Sequence, residues 1–540
     1  MTFSARQVAW LGILLAVSGQ AGQPAETGNH PVKVQLLAIN DLHGHLEAVD
    51  GPDGSVNRVP AGGTEYLATH LRNAIKANRY SIFIGAGDMM GASPLLSATF
   101  ADKPMVKALN AMKMGVTAIG NHELDNGPAE FLRRTRSARY TYLAANMIDS
   151  ATRKPLLPGT KIVTIGGVKV GFIGETLQGT DKMLQPKATK GVSFLEESAV
   201  ANAEAAKLEA RGVRAIVLLI HQGGQQNVEK GGLVDPNGCT SLSGDIVGIV
   251  EKLAPSIKVV VSAHSHNFYN CEIRGHRLTS AGSFGRLYTN IGLSIDPKSG
   301  EIVGVDARNI IATHDVVRDP KQTAIIARYK PAVDRMAARV VGSASGFLDR
   351  INNEAGESTL GDVVADATLF AAAQSHHARI GFVNSGGIRA TITMPAGAAK
   401  RDVTFGDLYA IQPFANHVSV VTLTGDEIRQ LLEEQFRTEG QYTRFLQVSH
   451  GFTYSYRANA PHGGHIVPGS VKLDGRPIAS DEPIIVATSD FLVSGGDGFT
   501  IFGKGRDPGV VALDIDALVH YFETHSPVAP GPQDRITKVD

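Results

Sequence analysis

The sequence predicts a two-domain α/β protein: a layered α/β domain over 32–317, a helical link over 318–341 and a smaller α+β domain over 342–540. Three observations predict it. The chain has 540 residues, too many for one hydrophobic core. Up to about residue 312, short Val- and Ile-rich runs alternate with amphipathic stretches, the pattern of a sheet covered by helices. Beyond residue 342 the alternation becomes irregular.

The strand-like runs are KVQLLAIND (33–41), SIFIGAGD (81–88), GVTAIGNHE (115–123), YLAANM (142–147), AIVLLIHQGG (215–224) and KVVVSAHSH (258–266). Helical stretches at 64–78 and 197–212 lie between some of them. Residues 161–175 read as a hairpin turning at Gly166-Gly167. The segment 318–340 reads as a connecting helix interrupted near Pro331. The second domain offers a helix around 358–374 and a strand ending in GFVNSGGIRA (381–390). A helix opened by a capping box at Thr424 and Glu427 follows, then strands around 450–457 and 483–489.

Composition narrows the function. Hydrophobic residues make up 43% and charged residues 19%, an ordinary globular balance. Lys+Arg and Asp+Glu are both 52, which argues against a long nucleic acid as partner, because binding many phosphates needs a basic surface. A small phosphorylated substrate needs only local cations. Residues 1–21 read as a cleavable export signal: Arg6, an apolar run over 8–17, then Gly19 and Ala21 at the −3 and −1 positions. The polar C-terminus lacks a hydrophobic tail, so no membrane anchor is expected, and the mature protein is expected to be secreted or periplasmic. In an oxidising compartment, the two cysteines, Cys239 and Cys271, are expected to form one disulfide.

Five short segments, each at the end of an apolar strand, carry the chemistry: Asp41-Leu42-His43, Gly87-Asp88, Gly120-Asn121-His122-Glu123, His221 and His264-Ser265-His266. In α/β sheets, ligands bind beyond the carboxyl ends of strands. A mixed carboxylate, imidazole and amide set suits Zn, Mn, Fe, Co or Ni. A single zinc uses three or four protein ligands, and seven are too many, so the set points to two divalent ions. Paired ions need a bridging carboxylate and clamp a phosphoryl group together.

These residues resemble a known family. AINDLHGHLE, GAGDMMGASPL, IGNHELDNG, IHQGG and SAHSH are similar to the motif blocks of calcineurin-like metallophosphoesterases, with Ala263 where the family usually has Gly. FVNSGGIRA, FGDLYAIQPFAN and TSDFLVSGGDGF resemble the C-terminal domain of the 5′-nucleotidase and UDP-sugar hydrolase family. The resemblance implies a four-layer first domain and two metals. Asp41, His43, Asp88 and His266 would hold one, and Asp88, Asn121, His221 and His264 the other, so that Asp88 bridges. It implies that His122 does not ligate but meets the phosphoryl group or leaving oxygen, oriented by Asp125.

For the substrate, the resemblance implies a Gly-rich loop of Asn384, Gly386, Gly387 and Arg389, a stacking clamp of Phe414 and Phe491, and further contacts from Asn416 and Asp497. One departure stands out. Where many members have an Arg-Glu pair, this chain has Gly356-Glu357, with Arg350 and Arg401 as candidate substitutes. The expected activity is release of phosphate from nucleoside 5′-monophosphates, extending to di- and triphosphates or UDP-sugars, by attack of a hydroxide activated by the two metals. The alternatives are a 2′,3′-cyclic-nucleotide phosphodiesterase with 3′-nucleotidase activity, disfavoured by Asp125, and a secreted nucleotide-binding protein without catalysis.

Overall fold

Two six-stranded sheets packed face to face make up the first part of the molecule. In the computed structural model, residues 30–49, 51–184, 186–228, 233–436 and 443–540 are described. The expected export signal lies outside them. One sheet has the order Ile302–Ile311, Leu287–Ile295, Val32–Ile39, Ser81–Ala86, Met114–Ala118, Thr141–Leu143. The other runs Phe268–Ile273, His276–Ala281, Ile257–Val261, Ala215–His221, Val168–Thr176, Thr160–Ile165.

Strand periodicity explains the layering. In Val32–Ile39, the residues Val34, Leu36 and Ala38 face the core between the sheets, while Leu37 and Ile39 face the helices outside. In Ala215–His221, Ala215, Val217 and Leu219 face the same inner core, and Ile216, Leu218 and Ile220 face the opposite helical layer. Helix Thr64–Ala77 covers one sheet and helix Glu197–Ala210 the other, giving the expected four layers. Both central strands are buried on two faces, hence their continuous apolar runs.

Two local expectations need correction. The run 142–147 is not one strand. Thr141–Leu143 pairs in the first sheet, while Met147–Asp149 pairs with Val192–Phe194. Between them Ala144 N donates to Pro158 O and Ala145 N to Gly174 O, so the chain changes partners. The helix Pro320–Ala337 runs through Pro331 without interruption. A proline interrupts one rung of the ladder. Here Asp319 caps the start through Lys321 N and Gln322 N, and buried Ile326 and Val333 anchor both sides of Pro331 in the first core.

The later part of the chain centres on a five-stranded sheet, Leu446–Val448, Ile380–Asn384, Pro483–Ser489, His417–Thr424, Arg506–Leu513. Helix Thr359–His376 packs on it, capped by Ser358 Oγ accepting from Gly361 N at 3.0 Å. The capping box at Thr424 and Glu427 is formed, and a second occurs at Thr404 and Asp407. Cys239 and Cys271 are disulfide-bonded. Among the described residues, no helix is long and apolar enough to cross a membrane.

Candidate metal centre and substrate cleft

Past the carboxyl ends of the strands, the backbone turns left-handed. Asp41 (φ 48°), His43 (45°), Asp88 (52°), His264 (70°) and His266 (56°) all adopt positive φ, a conformation that non-glycine residues adopt rarely and that gathers at functional sites. These turns bring residues from distant segments into two groups. Asp41, His43 and His266 offer ligand atoms within 4.8 Å of one another, and so do Asp88, His221 and His264. Asp88 stands between the groups, its Oδ2 3.0 Å from His221 Nε2 and 3.6 Å from His43 Nε2. Asn121 joins the second group, with Oδ1 3.2 Å from His264 Nδ1.

The donor set fits divalent cations. His43 Nδ1 lies 2.9 Å from Gly91 O and His221 Nδ1 2.9 Å from Ala86 O. A carbonyl only accepts, so these nitrogens donate, and in a neutral ring Nε2 then carries a lone pair. His43 Nε2 meets His266 Nε2 at 3.0 Å. His221 Nε2 is buried and makes no hydrogen bond of proper geometry. Acceptors thus converge on a largely buried space at the floor of the molecule's cleft. Without a cation they are compensated by protons: burial pushes Asp41 up to about 7, and at His221 Asp88 overcomes burial and raises the ring to about 9. Burial would raise Asp88 too, but His221 and His122 outweigh it and hold that carboxyl well below its usual range. Divalent ions replace such protons when they bind.

Glu123, which sequence reasoning passed over, organises this end of the site. Its buried carboxylate accepts from four backbone N–H groups: Asp88 at 2.9 Å, Met89 at 2.8 Å, Met90 at 3.3 Å and Gly120 at 2.7 Å. One side chain therefore ties the Asp88 turn to the Asn121 turn. His122 N in turn donates to Asp88 Oδ1 at 2.9 Å. His122 Nδ1 pairs with Asp125 Oδ1 at 2.9 Å. Burial works against a charged His122 ring, but Asp125 first and then Asp88 outweigh it and raise its pKa.

A cleft of about 1030 Å³ lies over this centre, walled by both halves of the chain. Asn121, His122, Asp125, His264 and His266 line one wall, while Asp41, His43, Asp88 and His221 lie beneath it. Asn384, Gly386, Gly387, Arg389, Phe414, Asn416, Phe491 and Asp497 line the other. Phe414 stacks on His122 with ring centroids 5.6 Å apart, and the Arg389 guanidinium lies 5.8 Å over the Phe414 ring. Phe491 lies against Gly496, where an added Cβ would stand 2.5 Å from its ring.

The departure at Gly356 has a local cause. Its φ is +89°, and a Cβ there would lie 2.3 Å from Phe445 Cγ, so the ring fills the space a side chain would need. Of the two candidate substitutes, Arg350 lines the cleft and donates to Asp53 Oδ1 across the domain boundary at 2.7 Å. Arg401 pairs with Asp407 at 2.8 Å and is not among the cleft-lining residues. Arg444, unmarked by any motif, also lines the cleft. Burial and then His221 press His264 down to about 3, and the charge of Arg444 adds to this.

Paired carboxylate and imidazole groups at strand ends, with a charge-paired histidine beside them, define a metal-dependent phosphoesterase. Comparison with known proteins agrees. Residues 34–268 match the profile of calcineurin-like phosphoesterases, and residues 340–504 that of the 5′-nucleotidase C-terminal domain. A cell wall protein of Listeria monocytogenes is 30% identical across 93% of this chain and 68% of its own length. An endonuclease of Bacillus subtilis is 27% identical across 94% of this chain, which spans 41% of that protein. The crystal structure of a 5′-nucleotidase precursor from Thermus thermophilus has the same fold, with a TM-score of 0.80 and 24% identity over 94% of this chain and 100% of that one. The chain belongs to the 5′-nucleotidase family of calcineurin-like metallophosphoesterases, which places it among the phosphoric monoester hydrolases.

Proposed function

We propose that this protein is an exported nucleotidase that releases phosphate from nucleoside 5′-monophosphates. The observation that carries this reading is the cleft itself, which joins the two ligand groups on one wall to the Gly-rich loop, two phenylalanines and Asp497 on the other. A phosphate ester with a base attached spans both walls; a bare phosphate uses only one. Asp41, His43, Asp88 and His266 would hold one divalent ion, and Asp88, Asn121, His221 and His264 the other, with Asp88 shared. Such ions supply Lewis acidity to a phosphoryl oxygen and acidify water.

The chain's own residues do the rest. His122, whose pKa is raised by Asp125 against the effect of burial, would offer positive charge and a proton where the ester oxygen leaves. Arg389, beside Phe414, supplies a planar guanidinium for phosphate oxygens. Phe414 and Phe491 take the base between them, and such stacking tolerates different bases. The pairing of His122 with Asp125 favours this reading over a 2′,3′-cyclic phosphodiesterase or a binding protein without catalysis. Phosphate release from AMP, UDP-glucose, 2′,3′-cyclic AMP and 3′-AMP, side by side with Mn or Co supplied, tests it. Preference for AMP is expected; preference for the cyclic or 3′ substrates would overturn the proposal.

A further inference from the structure

Beside the first ligand group stands a phenylalanine in a backbone conformation that its residue type rarely adopts. Phe284 has φ 59°, between Gly282 at 72° and Gly285 at 69°. A bulky residue in the left-handed region is an outlier that persists only where its surroundings hold it. Here they do. Phe284 N donates to Asp41 O at 2.8 Å, Ala281 N to Asn40 Oδ1 at 2.8 Å, and Asn40 Nδ2 to Gly282 O at 2.6 Å. The turn that carries Phe284 is therefore stapled to the turn that carries Asp41 and His43.

The ring of this buried residue adjoins three imidazoles. His45 lies flat against it, with centroids 4.0 Å apart and planes 26° apart. His266 meets it edge to face at 5.4 Å, and His43 does so at 6.1 Å. Such contacts have a preferred geometry, so they fix ring planes as well as positions. That matters most for His266. A ligand histidine is ordinarily oriented by a hydrogen bond from its other nitrogen. His43 and His221 have one, to Gly91 O and Ala86 O, and His264 Nδ1 lies 3.2 Å from Asn121 Oδ1. His266 makes no such bond among the described residues; its Nε2 faces His43 Nε2 at 3.0 Å and Asp41 Oδ1 at 3.6 Å. Its ring rests instead against Phe284 and His43. The second group is held differently, with His221 and His264 meeting each other at 5.3 Å.

We propose, on the ligand assignment given above, that Phe284 is a positioning residue of the first metal site. Its stapled turn holds the ring as a wall that sets the planes of His266 and His43, with His45 bracing the ring. The packing of an apolar edge thus does for His266 what a carbonyl does for His43 and His221.

Titration of the metal-free protein with Co²⁺, followed by visible absorption, tests this. The unaltered protein should take up two ions, and His266→Ala should lose one of them. Phe284→Leu keeps apolar bulk and removes the ring. It should weaken that same ion by about 10–100-fold and shift its absorption band, while the other ion stays within about threefold. Phe284→Tyr keeps the ring and should restore both affinity and band. His45→Ala leaves Phe284 and its turn in place, removes only the brace, and should weaken the same ion by a smaller factor. Thermal melts of the metal-free variants separate positioning from support of the fold. Equal weakening of both ions, in step with a lowered melting temperature, would overturn the proposal. So would unchanged affinity and spectrum in folded Phe284→Leu and His45→Ala proteins. Two ions retained in His266→Ala would overturn the ligand assignment, and the role of Phe284 with it.

Discussion

Asp125 Oδ1 lies 2.9 Å from Nδ1 of His122, three residues before it, on a short 3-10 turn that ends with the aspartate itself. The ring's other nitrogen is then the one available for chemistry. Asp125 is the largest influence raising the pKa of His122 above its ordinary value, so the ring stays protonated further into the neutral range. If the protonated ring assists the leaving oxygen, activity is present below that raised pKa and lost as pH rises through it. Asp125→Asn removes the charge, so the alkaline limb of the rate profile should move to lower pH while kcat near neutrality drops by about 10–100-fold. A profile that keeps both its height and its alkaline limb would leave Asp125 as no more than the end of the 3-10 turn.

Metal content should separate three neighbouring side chains. Asp88→Ala is expected to abolish turnover and lower bound metal from about two ions per chain, because a shared carboxylate serves both. His122→Ala should keep both ions and still lose about 10²–10⁴-fold in rate. Glu123→Gln would set an amide N–H₂ against two of the four backbone donors and should lose on the order of 2–4 kcal/mol of stability and weaken both sites. Metal analysis after dialysis, with a thermal melt of each variant, measures all three. A His122→Ala protein that lost an ion would overturn the split between ligand and acid.

The two phenylalanines should behave differently, because Phe414 touches the machinery and Phe491 does not. Phe491→Ala is expected to lower kcat/KM for AMP by about 10–100-fold and to alter hydrolysis of a small aryl phosphate by less than about threefold. Phe414 stacks on His122 and lies under Arg389, so Phe414→Ala should slow the small ester as well. Equal effects of both substitutions on both substrates would refute the division.

The disulfide joins Cys239 to Cys271, 32 residues away, and the chain between them passes the cleft wall at Ser243, Gly244 and Asp245 and includes His264 and His266. Cys239→Ser with Cys271→Ser should cost about 3–4 kcal/mol by the entropy of the loop it closes. Turnover of the folded variant at low temperature should remain. Denaturant melts and assays below the transition measure this, and loss of activity without loss of stability would mean the bridge shapes the site directly.

What could be read before folding, and what could not, follows from the range of the forces involved. Apolar runs ending in Asp, Asn or His are local, and so are Gly166-Gly167 and the box at Thr424 and Glu427; each formed where expected. The uninterrupted helix through Pro331 depended on Ile326 and Val333 reaching the first core, and the split of 142–147 on partners in two other strands. Glu123 stands inside a motif, yet its four donors come from a turn 33–35 residues away and from Gly120. Arg444 and Asp497 lie 53 positions apart with no pattern linking them. The left-handed turns at Asp41, His43, Asp88, His264 and His266 belong to residue types that any loop can carry.

Arg350, on the cleft, and Asp53, from the first half of the chain, lie 297 positions apart and meet at 2.7 Å, with side chains 26% and 14% exposed. A pair so placed is screened less than one on the open surface, yet dissolved salt, whose screening length shrinks to about 3 Å at 1 M, still reaches its exposed edge. The strength with which one half of the enzyme leans on the other is therefore written partly in the medium rather than in the chain. Ionic strength thereby becomes a dial on how firmly the two halves of the chain are held together.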